Sequence, residues 1–400
     1  MLKMFFLLGI SLVTFVTNAY AIPAFARQMG ISCNACHSQN GFPALNRFGR
    51  SFKASGYTMV GAQKSIYDDQ NGKFLSLTDT LNLSLNVKIG YVQGEDPAEA
   101  AQIQFPQALG FMIAGRVANN IGVFTEIGYE SEDGNDPLFQ LATLVVPVVY
   151  ELPDYTLGTV FYRTSEFGAA ASYDTLATGS KANGQTLEAV SVTSAQSYIV
   201  NNAGEEAAAE GIGFYIASDL WYGVYSAYVP TVGTVSGVTP AHYASLAFTP
   251  QVGNWDLGMS GQLWWGTASR DDANTSLPKI EDKTDKFALN FQAMGSVDTL
   301  PVSVFLTYAQ AKQGSIFAQT PNKVKAATIM GEIAPIAHIL MFSAGYRAAD
   351  NGANTNSTDN AQLLAVKYFY KENVQCQFDY VFNQNSQKRN EIYFTLRAVF

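Results

Sequence analysis

The sequence predicts a mainly β fold, a sixteen-stranded antiparallel transmembrane β-barrel of porin-like form, preceded by a small N-terminal segment of different chemistry. Three observations carry that reading. Only 14% of the 400 residues are charged, against about 25% in an ordinary soluble domain, yet mean hydropathy is close to zero. Polar and apolar residues alternate through many short segments and so average to neutrality, the profile of an outer-membrane barrel. Past the N-terminus no uninterrupted apolar run of about 18 residues occurs, which excludes a helical membrane protein.

Residues 1–21 read as a secretory signal peptide. Lys3 gives the positive start, Met4 to Val16 the apolar stretch, and Ala19-Tyr20-Ala21 a small-residue cleavage site. The expected mature chain begins at Ile22, beyond the inner membrane. Cysteine usage agrees with that compartment: Cys33, Cys36 and Cys376 build no disulfide framework. Cys376 reads as a small apolar filler in a strand.

Residues 22–72 form the second unit. Cys33-Asn34-Ala35-Cys36-His37 is the attachment signature of c-type haem, with two thioether-forming cysteines and a histidine for the proximal side of the iron. The expected cofactor is one covalent haem c. Arg27, Arg47, Arg50 and Lys53 give residues 22–60 a charge of +4, whereas the whole chain is −9. A basic segment joined to an acidic barrel invites docking of one into the other, and the same four cations are candidate contacts of the haem propionates. About 50 residues are too few for a sizeable core, so a plug or lid is expected. Asp68, Asp69 and Gln70 to Lys73 read as the linker.

Residues 73–400 form the barrel. From Leu81 to Tyr91, Leu81, Leu83, Leu85, Val87, Ile89 and Tyr91 share one face, and Asn82, Ser84, Asn86, Lys88 and Gly90 the other. A period of two with one apolar face is a strand between lipid and a wet lumen. Strands are expected near 80–92, 103–118, 121–130, 139–151, 156–165, 211–218, 220–230 and 242–250. Eight more follow near 255–268, 286–296, 300–313, 323–336, 339–349, 361–371, 374–383 and 390–400. The total is even, as bacterial single-chain barrels require, and short connections alternate with long ones. The longest, 166–210, reads as one external loop of 45 residues, within which Thr186 to Val200 could hide further strands. This phasing puts both ends of the multi-pass barrel on the periplasmic side of the outer membrane. Ile392, Phe394, Leu396, Ala398 and Phe400 alternate with Tyr393, Thr395 and Arg397, and the terminal aromatic resembles the assembly signal of bacterial outer-membrane barrels.

Five runs carry a more specific resemblance: Ala24-Phe25-Ala26-Arg27-Gln28, Cys33 to His37, Phe42-Pro43-Ala44-Leu45-Asn46, Phe48-Gly49-Arg50-Ser51-Phe52-Lys53 and Gly56-Tyr57-Thr58-Met59. Together they resemble the monohaem outer-membrane cytochrome–porin fusion family, whose members look like ferrous iron oxidases of iron-oxidising bacteria. The matched motifs cover about 40 residues, and Ser38 departs from the aromatic expected after the haem histidine. The resemblance implies an iron:cytochrome-type oxidoreductase. Fe(II) at the cell surface is its electron donor, and a periplasmic cytochrome or other carrier its acceptor. A diffusion channel with a haem-bearing plug or sensor, or an outward conduit to external acceptors, uses the same architecture.

The motif does not fix the distal iron ligand. Met59, 22 residues past His37, is the first candidate, since His/Met ligation raises haem potential, and Met29 is its local rival. His338 is expected in a periplasmic turn and His242 at the external rim, both with structural roles. Acidic clusters at Glu95, Asp96 and Glu99, at Glu130, Glu132, Asp133 and Asp136, and at Glu205, Glu206 and Glu210 could draw Fe²⁺ to the loops. No phosphate-cradling loop, basic nucleic-acid patch or nucleophile–base constellation occurs, so neither nucleic acid nor hydrolytic chemistry is indicated.

Overall fold

A computed structural model describes residues 22–38, 44–67, 76–78, 81–130, 138–165, 168–176, 194–202, 208–230, 236–271, 279–312, 322–371 and 373–400. The signal peptide, the 68–73 linker, Phe42 and Pro43, and acidic residues 132, 133, 136, 205 and 206 lie outside the described residues.

Two helices open the chain, α1 (Pro23–Met29) and α2 (Arg47–Ala54), with a 3₁₀ turn at Cys33–Ala35 between them. A short hairpin of β1 (Ser65–Tyr67) and β2 (Ser76–Thr78) follows. The barrel begins with β3 (Leu83–Gln93), β4 (Gln102–Ala118), β5 (Ile121–Glu130), β6 (Leu138–Glu151) and β7 (Thr156–Thr164). After a 3₁₀ turn at Gly168–Ser172 and helix α3 (Ala195–Asn202) come β8 (Ala209–Ala217), β9 (Trp221–Val229), β10 (Ala241–Phe248) and β11 (Gln251–Val252). The remainder are β12 (Trp255–Arg270), β13 (Ile280–Val297), β14 (Leu300–Ala311) and β15 (Val324–Ile336). Last come β16 (Leu340–Asp350), β17 (Ala361–Lys371), β18 (Val374–Asn383) and β19 (Glu391–Val399).

Strands β3 to β19 close one antiparallel barrel of sixteen staves, β10 and β11 being one stave interrupted at Thr249-Pro250. Proline has no N–H to give the ladder. Closure joins the last strand to the first, from Ile392 opposite Gln93 to Val399 opposite Asn86. Phe400 and Leu85 then exchange backbone hydrogen bonds of 3.0 and 2.7 Å. Short turns lie at one mouth, as at 252–254, where Gly253 takes φ +60°, and the long connections at the other.

The alternation sorts side chains as expected. Leu246, Leu263, Leu289, Ile329, Leu364 and Phe394 are exposed on the outer wall, while Ser84, Asn86, Lys88, Thr395 and Arg397 are buried in the lumen. Outward Trp255 and Trp265 on β12 are ten residues apart. With about 3.3 Å per residue and a tilt near 40°, that is roughly the height of a membrane's apolar band. β13 starts at Ile280, earlier than the sequence suggests. Its first turns carry Glu281, Lys283 and Asp285 outward and Asp282, Thr284 and Lys286 inward, so polarity on both faces hides the period of two.

The 166–210 connection corrects a sequence expectation. Its described parts are not external: they fold into the lumen. Gly168–Ser172 packs on β7, β8 and β9, and α3 on β13, β14 and β15. Thr307 on the lumen wall accepts from the Ala195 amide at 2.7 Å, and Ala195 and Ile199 are fully buried. No strand hides in the described part of Thr186 to Val200; residues 195–200 are helical.

The N-terminal segment occupies the lumen at the short-turn mouth. Arg50, on the buried side of α2, makes a two-pronged ion pair with Asp256 at the start of β12, with N–O distances of 2.8 and 3.0 Å. Removing one member of a buried pair strands the other charge and costs about 3–5 kcal/mol. Arg50→Met is therefore expected to raise the undocked plug population more than about a hundredfold. The rate of proteolysis within residues 22–67 of the folded barrel reads this. A wild-type rate would refute the anchor, and adding Asp256→Leu should restore protection.

Candidate functional site

The Cys33–His37 turn is built by local hydrogen bonds and clamped by α2. Proline at the first position of α1 suits its start, and Gly30 ends it in the left-handed conformation at φ +69°. The amides of Cys36 and His37 donate to the Cys33 carbonyl at 3.2 and 3.1 Å. Asn46 ties this turn to α2. Its Oδ1 caps Gly49 at 3.0 Å, its Nδ2 donates to the Ala35 carbonyl at 3.0 Å, and its amide donates to the Cys36 carbonyl at 2.9 Å. Gly49 allows the contact, because a Cβ there would stand 2.2 Å from the Cys36 carbonyl oxygen. Burial, reinforced by Cys33 nearby, pushes the Cys36 thiol up to about 11.

Gln28 fastens this unit to the wall. Its fully buried amide donates to the carbonyls of Tyr57 and Met59 at 2.7 and 2.6 Å. Its Oε1 accepts from Asn82 at 3.2 Å and from the Arg116 amide at 3.0 Å. Phe25 stacks on Tyr57 at 4.6 Å between ring centres and meets Phe52 edge-on at 5.1 Å, giving the plug a small aromatic core. Gly61 crosses Met29 so closely that a Cβ would lie 2.1 Å from its carbonyl oxygen. Met59 and Met29, the two candidate distal residues, thus belong to one backbone crossing beside α1.

The four segment cations all meet the barrel or the inward segment. Arg47 pairs with Asp219, Arg50 with Asp256, Lys53 donates to the Asp174 carbonyl, and Arg27 to the Leu83 carbonyl. Arg27 also lines a cavity of about 640 Å³ beside Cys33. The inward segment joins the plug from above. Tyr173 stacks on Tyr215 of β8 at 4.1 Å, and the Tyr215 hydroxyl donates to the Ala54 carbonyl at 2.8 Å. Burial raises the pKa values of the Tyr57 and Tyr173 phenols, which remain neutral.

Other sequence candidates lie elsewhere. His338 occupies a short turn at φ +63°. His242 faces outward, its Nδ1 2.9 Å from the Tyr225 hydroxyl and its ring beside Trp265. Cys376 faces outward on β18. Glu95 pairs with Lys388 at 2.9 Å and Glu210 with Arg163 at 3.6 Å. Among the described residues no three His, Cys, Asp or Glu side chains converge as a metal site. Sequence reasoning singled out neither Gln28 nor Asn46; both stand inside the matched runs, but their partners are distant in the chain.

Fold and site together define a class: a porin-like membrane-spanning β-barrel of the outer-membrane type, with its N-terminal segment seated in the lumen. No protein-family model matches the sequence, and no curated protein matches it. Among solved structures, a loop-deleted OmpT of Vibrio cholerae is similar at 13% identity, covering 80% of this chain and 99% of its own, with a TM-score of 0.49. The anion-selective porin of Comamonas acidovorans is 11% identical over 80% and 99% of the two chains, with a TM-score of 0.49. OmpF of Salmonella typhi, solved with daunomycin, is 10% identical over 84% and 100%, with a TM-score of 0.47. The barrel assignment rests on this chain's own strand pairing and apolar outer wall.

Proposed function

We propose that the protein moves single electrons across the outer membrane, taking them from Fe(II) at the long-loop side and delivering them to a soluble one-electron carrier at the short-turn side. The observation that supports this reading is the seating of Cys33, Cys36 and His37 inside the lumen, held by Gln28, Asn46 and Arg50. A covalent haem on that turn supplies a reversible one-electron couple. Each Fe(II) becomes Fe(III) as the carrier gains one electron, so the exchange balances without a further reagent. The residues present fit such a group: two thiols and an imidazole on one turn, a cavity next to Cys33, and guanidinium groups at its edge. Iron as donor, and Met59 or Met29 as distal ligand, follow from the resemblance and from ligand chemistry.

A second reading has its own support. The inward-folded 168–176 and 194–202 segments and the polar lumen wall suit a diffusion channel narrowed from within, for which the haem segment is a plug or sensor. One experiment separates the two. Fe(II) is added without oxygen to membranes carrying the oxidised protein, and the haem bands are followed. Rapid reduction, lost in Cys36→Ala, is expected. An intact haem that stays oxidised over a range of pH would overturn electron transfer from iron, and solute flux in liposomes would then support the channel.

A further inference from the structure

Resting on the reading that Cys33 and Cys36 carry haem, we infer that the barrel wall completes the haem site and that Arg397 binds haem carboxylates there. The cavity of about 640 Å³ lies between α1 with the Cys33 turn on one side and strands β17 to β19 on the other. That volume is within the range of small-ligand sites, about 300–1,000 Å³. Phe369 and Val399 line it from the wall, a pair of apolar surfaces suited to a flat ring. Its polar lining includes Gln375 and two guanidinium groups, Arg27 from the plug and Arg397 from the wall, and no carboxylate.

Arg397 owes its position to the last strand. Alternation along β19 turns Tyr393, Thr395 and Arg397 into the lumen, where Arg397 is 3% exposed. Its Nε donates to Asn86 Oδ1 at 3.0 Å, which orients the planar guanidinium. Lys88 stands directly across from it in the β3–β19 register and on the same buried face. Two cations thus sit side by side on the wall, a third closes the cavity from the plug, and the chain as a whole is acidic. A guanidinium fork recognises a carboxylate through two parallel hydrogen bonds. The ligand class that suits an apolar slot with cations at its rim is a planar macrocycle bearing carboxylates, next to a cysteine able to hold it covalently.

The consequence is electrochemical. Positive charge beside haem carboxylates disfavours the more positive ferric state and so raises the potential; it also keeps the carboxylates ionised. Arg397→Gln in the haem-loaded, membrane-inserted protein is expected to lower the midpoint potential. It should also make that potential fall as pH rises through the carboxylate range. Arg397→Lys should recover most of the potential, Arg27→Gln should shift it in the same direction, and Lys283→Gln, the same charge change on the outer wall, should not move it. Spectroelectrochemical titration reads all four, and Arg27→Gln stands in if Arg397→Gln fails to insert. Unchanged potentials and pH profiles in both glutamine variants, with haem attached, overturn the inference. A wild-type chain without haem overturns both this site and the functional reading. A shifted potential in Arg397→Gln, with a wild-type haem that Fe(II) does not reduce, overturns the donor alone.

Discussion

Replacing Gly122 with valine is expected to unseat the plug and raise ion conductance through the barrel. Gly122 begins β5 on the lumen face, and a Cβ placed on it would stand 1.9 Å from the carbonyl oxygen of Gly56. The facing group is backbone, which cannot rotate aside. Gly56 is in turn confined: its φ of +64° is left-handed, and a Cβ there would meet Val149 on β6 at 2.7 Å. Wall and plug therefore touch backbone to backbone at this point. Overpacking a close contact costs about 1–3 kcal/mol even where side chains can yield, so an undocked fraction larger by at least about fivefold follows. Gly122 pairs with Arg116 across a ladder that valine does not disturb, and valine favours strands. The barrel should fold, its plug should become protease-sensitive, and planar-bilayer conductance should rise. Wild-type conductance and wild-type protection together would show that the plug is not seated on Gly122.

That close approach also marks where reading the sequence stops. The period-two pattern reports which face of a strand meets lipid, because hydrocarbon admits few polar groups, and the strands from β14 to β19 begin and end near where alternation places them. The lumen imposes no such filter. Its wall tolerates Ser84, Thr395, Met330 and Lys367 alike, so nothing in the pattern says that 168–176 and 194–202 turn inward. Composition made the +4 charge of residues 22–60 visible and suggested docking. The partners Asp219 and Asp256 could not be read, because they are 172 and 206 residues away from Arg47 and Arg50. The Cys33–His37 turn stands out in the sequence because its residues are adjacent in the chain. Asn46 and Gln28 act by holding distant carbonyls, and a polar residue in a short helix-rich segment gives no sign of that.

Acidification is expected to release α3 from the lumen wall at the long-loop side, below about pH 4, and Asp359→Asn should loosen it at every pH. Asp359 is almost fully buried in the connection between β16 and β17, and three partners from separate parts of the chain converge on it. The Tyr198 hydroxyl of α3 donates to Oδ2 at 2.9 Å, Arg347 of β16 pairs with Oδ2 at 3.1 Å, and Lys388 pairs with Oδ1 at 3.0 Å. Lys388 continues to Glu95 at 2.9 Å, and Arg347 also lies over the Tyr198 ring, 4.6 Å from its centre. Burial alone pushes the Asp359 carboxyl up, but Arg347 and Lys388 outweigh it and hold the group below its ordinary value. A depressed carboxylate pKa adds stability that is complete above the unfolded value of about 3.9 and is lost as pH falls through the folded one. The tether should thus be flat from neutral pH to about 5 and weaken only in strong acid. In Asp359→Asn the buried Arg347 loses its counter-charge, while the half-buried Lys388 keeps Glu95, at a local cost of about 3–5 kcal/mol. Hydrogen exchange at the amides of residues 194–202, followed between pH 3 and 7, measures both effects. Exchange that is equally slow in wild type and variant across that range would show that α3 is held by its packing on β13, β14 and β15 alone. The contrast with the Cys33–His37 turn is chemical: Asn46 ties that turn to α2 through a side-chain amide that does not titrate, so acid should loosen the inner helix while the turn keeps its local geometry.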